Sequence, residues 1–132
     1  MNSIVTVDWL KDNLDKKELI IFDVRHSSDD INYGIREYKK GHIENAIFIP
    51  FEELLTGKAG EHGGRHPLPD IEDFARKMNK LGLDDESLVV IYDDGDLPMA
   101  GRLWFMLRYI GFQKAYVLLG GFKEWKAKDY PI

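Results

Sequence analysis

Three carboxylates crowd into one turn at Asp93, Asp94 and Asp96, within the stretch LVVIYDDGDLPMAGRLW at 88–104. An apolar run leads into them and a helical pattern leads out. In parallel α/β proteins the carboxyl ends of the strands are where ligands and chemistry collect. Carboxylates placed there can hold Mg²⁺ or act as nucleophiles. The bland alternative is a solvated turn in which short acidic side chains and Gly95 satisfy nearby backbone groups. No Cys, Ser or Thr stands beside them, and the chain has no Cys at all. A thiolate nucleophile, Cys-ligated zinc and disulfides are therefore excluded from this chain.

Other side chains with chemical potential are scattered. Arg25 and His26 follow the apolar run IIFDV and share a sheet edge with the acidic turn. Arg102 is placed to pair with Asp93 or Asp94 and hold that turn. His62 and His66 stand four apart (66 − 62) in the Gly- and Pro-rich stretch TGKAGEHGGRHPLP. Two histidines around glycines are weak grounds for a metal site. His42, in GHIENA, suits a structural role, its ring satisfying backbone groups.

The elements that must position these residues are legible from periodicity. SIV, ELIIFDV, AIFIP, SLVVIY and AYVLL read as strands, the last four of them buried. Thr6 caps a helix carrying Trp9, Leu10 and Leu14. IREYKKGHI reads as a short helix stopped by Gly41. Asp70 opens a helix with Phe74, Met78 and Leu81 on its apolar face, ended by Gly82. MAGRLWFMLRYIG carries Leu103, Trp104, Leu107 and Ile110, with Gly111 as its stop. FKEWKAK follows Gly120-Gly121. Residues 56–69 form the longest loop, and long loops in compact domains tend to be functional. Apolar strands alternating with amphipathic helices imply a parallel sheet covered on both faces.

At 132 residues the chain suits a single domain over 1–132, with no repeat or linker. Its net charge of −5 argues against a nucleic-acid partner. No apolar run is long enough to cross a membrane, and MNSIVTVDWLKDNLDKK lacks the basic and apolar regions of a signal peptide. The cytoplasm is the compartment expected.

IIFDVR, EYKKGHIENAIFIP, HPLPDIEDFARKMNKLGLDDESLVVIYDD and AGRLWFMLRYIGFQKAYVLLGGFKEWKAKDYPI together resemble a rhodanese domain. More narrowly, they resemble the amino-terminal half of the two-domain thiosulfate or 3-mercaptopyruvate sulfurtransferases. Glu44-Asn45 stands where the family often has Pro-Gly, and KDYP stands where Gly-x-Pro is usual. The resemblance implies a three-layer α/β/α domain around a five-stranded parallel sheet.

Catalytic members of that family carry a Cys directly after the third strong strand, whose thiolate holds sulfur as a persulfide. The matching position here is Asp93. A carboxylate cannot carry a persulfide. It would also repel anionic donors, by about 4 kcal/mol at 4 Å in an effective dielectric of about 20. The loop from Asp93 to Arg102 is longer than in catalytic members, so a tight anion cradle is not expected.

The resemblance thus implies a non-catalytic domain that shapes the active site of a second, Cys-bearing rhodanese domain. That enzyme would use small sulfur donors and acceptors and no metal or organic cofactor. Glu52, His66, Pro98, Met99, Arg25 and His26 would form an active-site wall or domain interface, with Arg102 stabilising the loop. A free-standing inactive binding module is the alternative. The least favoured reading is an aspartate-based phosphatase of the haloacid-dehalogenase kind, using Asp94 and Asp96.

Overall fold

Short runs rich in Ile and Val hide their side chains best in a sheet that is covered on both faces. The computed structural model describes residues 3–54, 70–96 and 98–132, and within them these runs form one five-stranded sheet. In chain order the elements are β1 (Ile4–Val5), α1 (Val7–Asp12), β2 (Leu19–Asp23), α2 (Tyr33–Lys40), β3 (Ile47–Phe48) and α3 (Phe51–Leu54). They continue with α4 (Ile71–Lys80), β4 (Leu88–Tyr92), α5 (Pro98–Tyr109), β5 (Ala115–Leu118) and α6 (Gly121–Ala127). The strands run parallel in the order β1-β5-β4-β2-β3. The central register runs from Leu19↔Leu88 to Asp23↔Tyr92, so β2 and β4 end level with each other.

Alternation along each strand sends successive side chains to opposite faces. Phe22, Val89, Ile91 and Val117 join Phe74 and Met78 of α4 and Leu103 and Met106 of α5 in one core. Ile21, Val90, Tyr92 and Leu118 join Leu10 of α1 and Phe122 and Trp125 of α6 in the other. Helices on both faces make the three layers expected. Among the described residues no helix is long and apolar enough to cross a membrane.

Local signals account for most boundaries. Thr6 Oγ1 accepts from the Trp9 N–H at 3.1 Å, and Asp70 Oδ1 accepts from the Asp73 N–H at 3.1 Å. Gly82 and Gly111 follow α4 and α5 at φ of 99° and 95°, a region that glycine enters freely.

Three boundaries differ from the sequence expectation. AIFIP yields only the two-residue β3, although the Ile49 N–H still donates to the Asp23 carbonyl at 2.8 Å. Pro50, with no N–H, ends the pairing, and α3 begins immediately after it. α2 begins at Tyr33, ahead of the expected start. Its Gly41 is extended, with φ of 172°, so no left-handed turn stops this helix. The long loop at 56–69, with His62 and His66, lies outside the described residues.

The order of strands reverses between β2 and β4. The chain leaves β2 through α2, whose Tyr38 packs on one core, and leaves β4 through α5, which packs on the other. Connections that diverge in this way open a crevice at the carboxyl ends of the two strands.

The start of α2 is pressed against the tip of β2. A Cβ at Gly34 would sit 2.2 Å from the Arg25 carbonyl oxygen, whereas one at Gly101 in α5 would meet nothing within 4 Å. Gly34→Ala is expected to destabilise by about 3 kcal/mol, as overpacking does. Gly101→Ala is expected to stabilise by about 0.5–1 kcal/mol. Denaturant unfolding of both variants checks the contrast.

Candidate functional site

β2 ends in a charged residue, Asp23, that is fully buried, and Arg25 beside it is 2% exposed. Such charges persist inside a protein only when paired and hydrogen-bonded. Arg25 Nη2 donates to Asp23 Oδ2 at 2.7 Å, and Nε approaches both carboxylate oxygens at 3.1 Å. Nη2 also donates to the Gly41 carbonyl at 2.8 Å, which ties the end of α2 to the strand tip. The Tyr92 hydroxyl donates to Asp23 Oδ2 at 2.6 Å and accepts the Ile43 N–H at 3.1 Å. The guanidinium lies 4.2 Å from the Phe122 ring centroid. Burial alone would lower the Arg25 pKa, but the hydrogen bonds and charge of Asp23 more than reverse this and raise it. Burial, reinforced by the Asp23 charge, raises the Tyr92 phenol well above its ordinary range.

The neighbouring strand, β4, runs into the acidic turn. Asp93 is 2% exposed. Its Oδ1 accepts the Gly95 N–H at 2.9 Å, and its Oδ2 accepts the Ala100 N–H in the first turn of α5 at 3.1 Å. An anion at that end of α5 is favoured by the helix dipole. The loop backbone is also bound to α6: the Phe122 and Lys123 N–H groups donate to the Asp93 and Asp94 carbonyls at 2.9 and 3.1 Å. Gly121 has φ of 57°, and a Cβ there would sit 2.6 Å from both the Asp93 carbonyl oxygen and the Gly95 nitrogen. Two backbone N–H groups, of Gly95 in the turn and Ala100 in α5, thus meet the Asp93 carboxylate itself.

The other acidic residues diverge. Asp94 is half-buried and accepts from the Tyr33 hydroxyl at 3.0 Å, across from the first residue of α2. Burial raises the Asp94 carboxyl above its ordinary value, although Tyr33 and Arg25 pull it down. Burial and the Asp94 carboxylate push Tyr33 up to about 12. Asp96 is exposed. Among the described residues, no cluster of three or more His, Asp or Glu could hold a metal.

The remaining expected residues fall into place as follows. Arg25 reaches the anticipated edge, but its side chain turns inward to Asp23. His26 and Glu52 meet, with Nε2 and Oε1 3.5 Å apart, and the His26 ring lies 4.5 Å from that of Phe51. Arg102 sits over Phe51 at 5.8 Å, and burial lowers its pKa. Pro98 is exposed, and Met99 packs against the core shared by α4 and α5. His42 stacks on Tyr38 at 3.7 Å, with Nδ1 2.7 Å from the Tyr38 carbonyl, the structural role expected of it. His66 lies outside the described residues. Sequence reasoning missed the Asp23–Arg25–Tyr92 network. The signal available was a charged D-x-R closing an otherwise apolar strand.

Comparison with known proteins is consistent with this geometry. Residues 6–128 match the rhodanese-like domain family. The chain is 37% identical over 130 residues to the 3-mercaptopyruvate sulfurtransferase of Escherichia coli K12, covering 95% of this chain and 44% of that protein. It is 35% identical over 130 residues to the mitochondrial thiosulfate/3-mercaptopyruvate sulfurtransferase 1 of Arabidopsis thaliana, covering 98% of this chain and 34% of the relative. The structure of 3-mercaptopyruvate sulfurtransferase from Leishmania major superimposes with a TM-score of 0.89 at 32% identity, over 98% of this chain and 35% of that one. The chain spans less than half the length of these relatives.

Two substitutions test the acidic turn. Asp93→Asn puts an amide N–H₂ against one of the two backbone donors and is expected to cost about 1–3 kcal/mol in denaturant unfolding. Asp94→Asn keeps an acceptor for Tyr33. Because the Asp94 pKa is raised on folding, its contribution is fully favourable below the ordinary value of 3.8 and is lost as pH rises through the raised one. The Asn variant is therefore expected to melt higher than the parent at pH ~7. That advantage should disappear below pH 3.8, as read from melting temperatures across pH.

Proposed function

The chain belongs to the rhodanese-like domain family, and on that premise we propose that it is the non-catalytic half of a sulfurtransferase, shaping the active site of a second, Cys-bearing rhodanese domain. One observation carries this reading. At the position where the resemblance places the sulfur-carrying Cys, a buried Asp93 carboxylate takes up the loop's own N–H donors.

In the complete enzyme the second domain's thiolate would attack the outer sulfur of thiosulfate, breaking its S–S bond and releasing sulfite. The persulfide would then pass that sulfur to cyanide, giving thiocyanate and restoring the thiolate. 3-Mercaptopyruvate would serve as the other donor, and a thiol as the other acceptor. This domain's part is to wall the site and exclude water. Pro98 and Met99 stand at the head of α5, and His26 with Glu52 at the tip of β2 and the start of α3, all on the carboxyl edge of the sheet. His66 would join this wall. Arg102 would stabilise the acidic loop. The cytoplasm, where a Cys-bearing partner domain stays reduced, is the compartment that suits this chemistry.

The purified chain alone is expected to form no thiocyanate from cyanide with either donor, above the uncatalysed rate. Added to a separately expressed Cys-bearing domain, it should raise that domain's turnover. Thiocyanate formation by this chain alone would overturn the proposal.

A further inference from the structure

After α6 the chain turns back on itself. Asp129 takes φ of 58°, a left-handed conformation that Asp enters more readily than most side chains. Residues 128–132 then run as a strap from α6, against α1, to the turn at Gly41–Glu44. None of the five is buried. Side chains hold the near end of the strap. The Tyr130 hydroxyl and Lys128 Nζ both donate to Asp8 of α1, the latter at 3.1 Å. Lys11 Nζ lies 5.1 Å from the Tyr130 ring centroid, and the Tyr130 ring meets that of Trp125 edge-on at 5.2 Å.

The far end reaches a turn that the buried network also uses. The Pro131 carbonyl accepts the Trp125 Nε1–H at 2.8 Å and the Glu44 N–H at 3.3 Å. A Cβ at Gly41 would lie 3.5 Å from Ile132 Cδ1. The same four residues serve the tip of β2 and β4. The Gly41 carbonyl accepts from Arg25 Nη2, and the Ile43 N–H donates to the Tyr92 hydroxyl. Arg25 and Tyr92 in turn share the Asp23 carboxylate. Gly41–Glu44 therefore stands between the strap and the charged pair that organises the carboxyl edge.

An exposed segment held by a few polar contacts opens at lower cost than the core. Its seated and released forms make the kind of ordered and disordered states on which switches are built. We propose that residues 128–132 are a releasable latch on the carboxyl edge. Seated, the strap fixes Gly41–Glu44 on the buried network. Released, it frees that turn, and Arg25 and Tyr92 each lose a backbone partner. Whatever draws the strap off Asp8 thereby loosens the edge of the sheet. This coupling goes beyond the sulfurtransferase reading and does not depend on it.

The test is hydrogen exchange of the ¹⁵N-labelled chain, compared among the parent, Tyr130→Phe and Asp8→Asn. Tyr130→Phe keeps the ring beside Trp125 and removes one bond of the latch, whereas Asp8→Asn weakens both. The Trp125 Nε1–H and Glu44 N–H report the strap, the Ile43 N–H and Arg25 Nε–H the edge, and the Val89 and Ile91 N–H groups the core. Both variants are expected to speed exchange at Trp125 and Glu44 by about threefold, the scale of an exposed polar contact. Ile43 should speed by the same factor and the Arg25 Nε–H signal should shift, with the core unchanged. Faster exchange at the strap with Ile43 and Arg25 unmoved would overturn the latch. So would exchange that is unchanged throughout, or that rises equally in the core. The sulfurtransferase reading would stand in each case, because it is judged by thiocyanate formation.

Discussion

A carboxylate and a guanidinium buried at the tip of β2 organise the carboxyl edge of this domain. Asp23 and Arg25 are each too costly to bury alone, and an ion pair inside a protein holds only when its remaining polar groups are also matched. Here they are matched by elements distant in sequence. Tyr92 brings in β4, the Gly41 carbonyl brings in the end of α2, and the Phe122 ring brings in α6. Removing one member would leave a buried charge or donor uncompensated, so the network fixes relative positions more than it adds net stability. The crevice between β2 and β4 inherits its rigidity from this arrangement.

That rigidity explains how the next turn can be so tightly closed. Asp93 directly follows Tyr92, which is already anchored to Asp23. From this start the chain meets the first turns of both helices: α5 gives the Ala100 N–H to the Asp93 carboxylate, and α6 gives the Phe122 and Lys123 N–H groups to the Asp93 and Asp94 carbonyls. Gly95 and Gly121 allow the approach, since neither position has room for a Cβ. The sheet edge is thus divided into a closed turn over β4 and an open cleft beyond β2.

Much of this was legible in the sequence. The five strands, both long helices, the caps at Thr6 and Asp70, and the stops at Gly82 and Gly111 follow from periodicity and local hydrogen-bonding chemistry. Less of the site was legible, because it depends on long-range pairing. Arg25 sits at the expected edge, yet its side chain turns inward, since a buried Asp23 two residues away needs it more than solvent does. The length of the turn suggested an open loop. What closed it was the Asp93 side chain returning to its own backbone, together with contacts to α6 that no spacing rule encodes. β3 was overestimated because Ile47 to Ile49 are apolar for packing, while Pro50 cuts the ladder short.

Under the proposed non-catalytic reading, the fit of Asp93 bears on how a turn of this kind can do without a nucleophile and keep its shape. The Gly95 and Ala100 N–H groups that meet Asp93 would be costly to leave buried and unpaired, on the order of 1–3 kcal/mol each. The turn therefore requires an acceptor, preferably a negative one, at the place where the resemblance puts a thiolate. A carboxylate meets that requirement at Oδ1 and Oδ2 together. It satisfies both backbone donors while being unable to carry a persulfide. On this view the acidic residue at 93 marks continuity of the fold's electrostatics with a change in its chemistry. The two remaining acids, half-buried Asp94 and exposed Asp96, are not needed for that function.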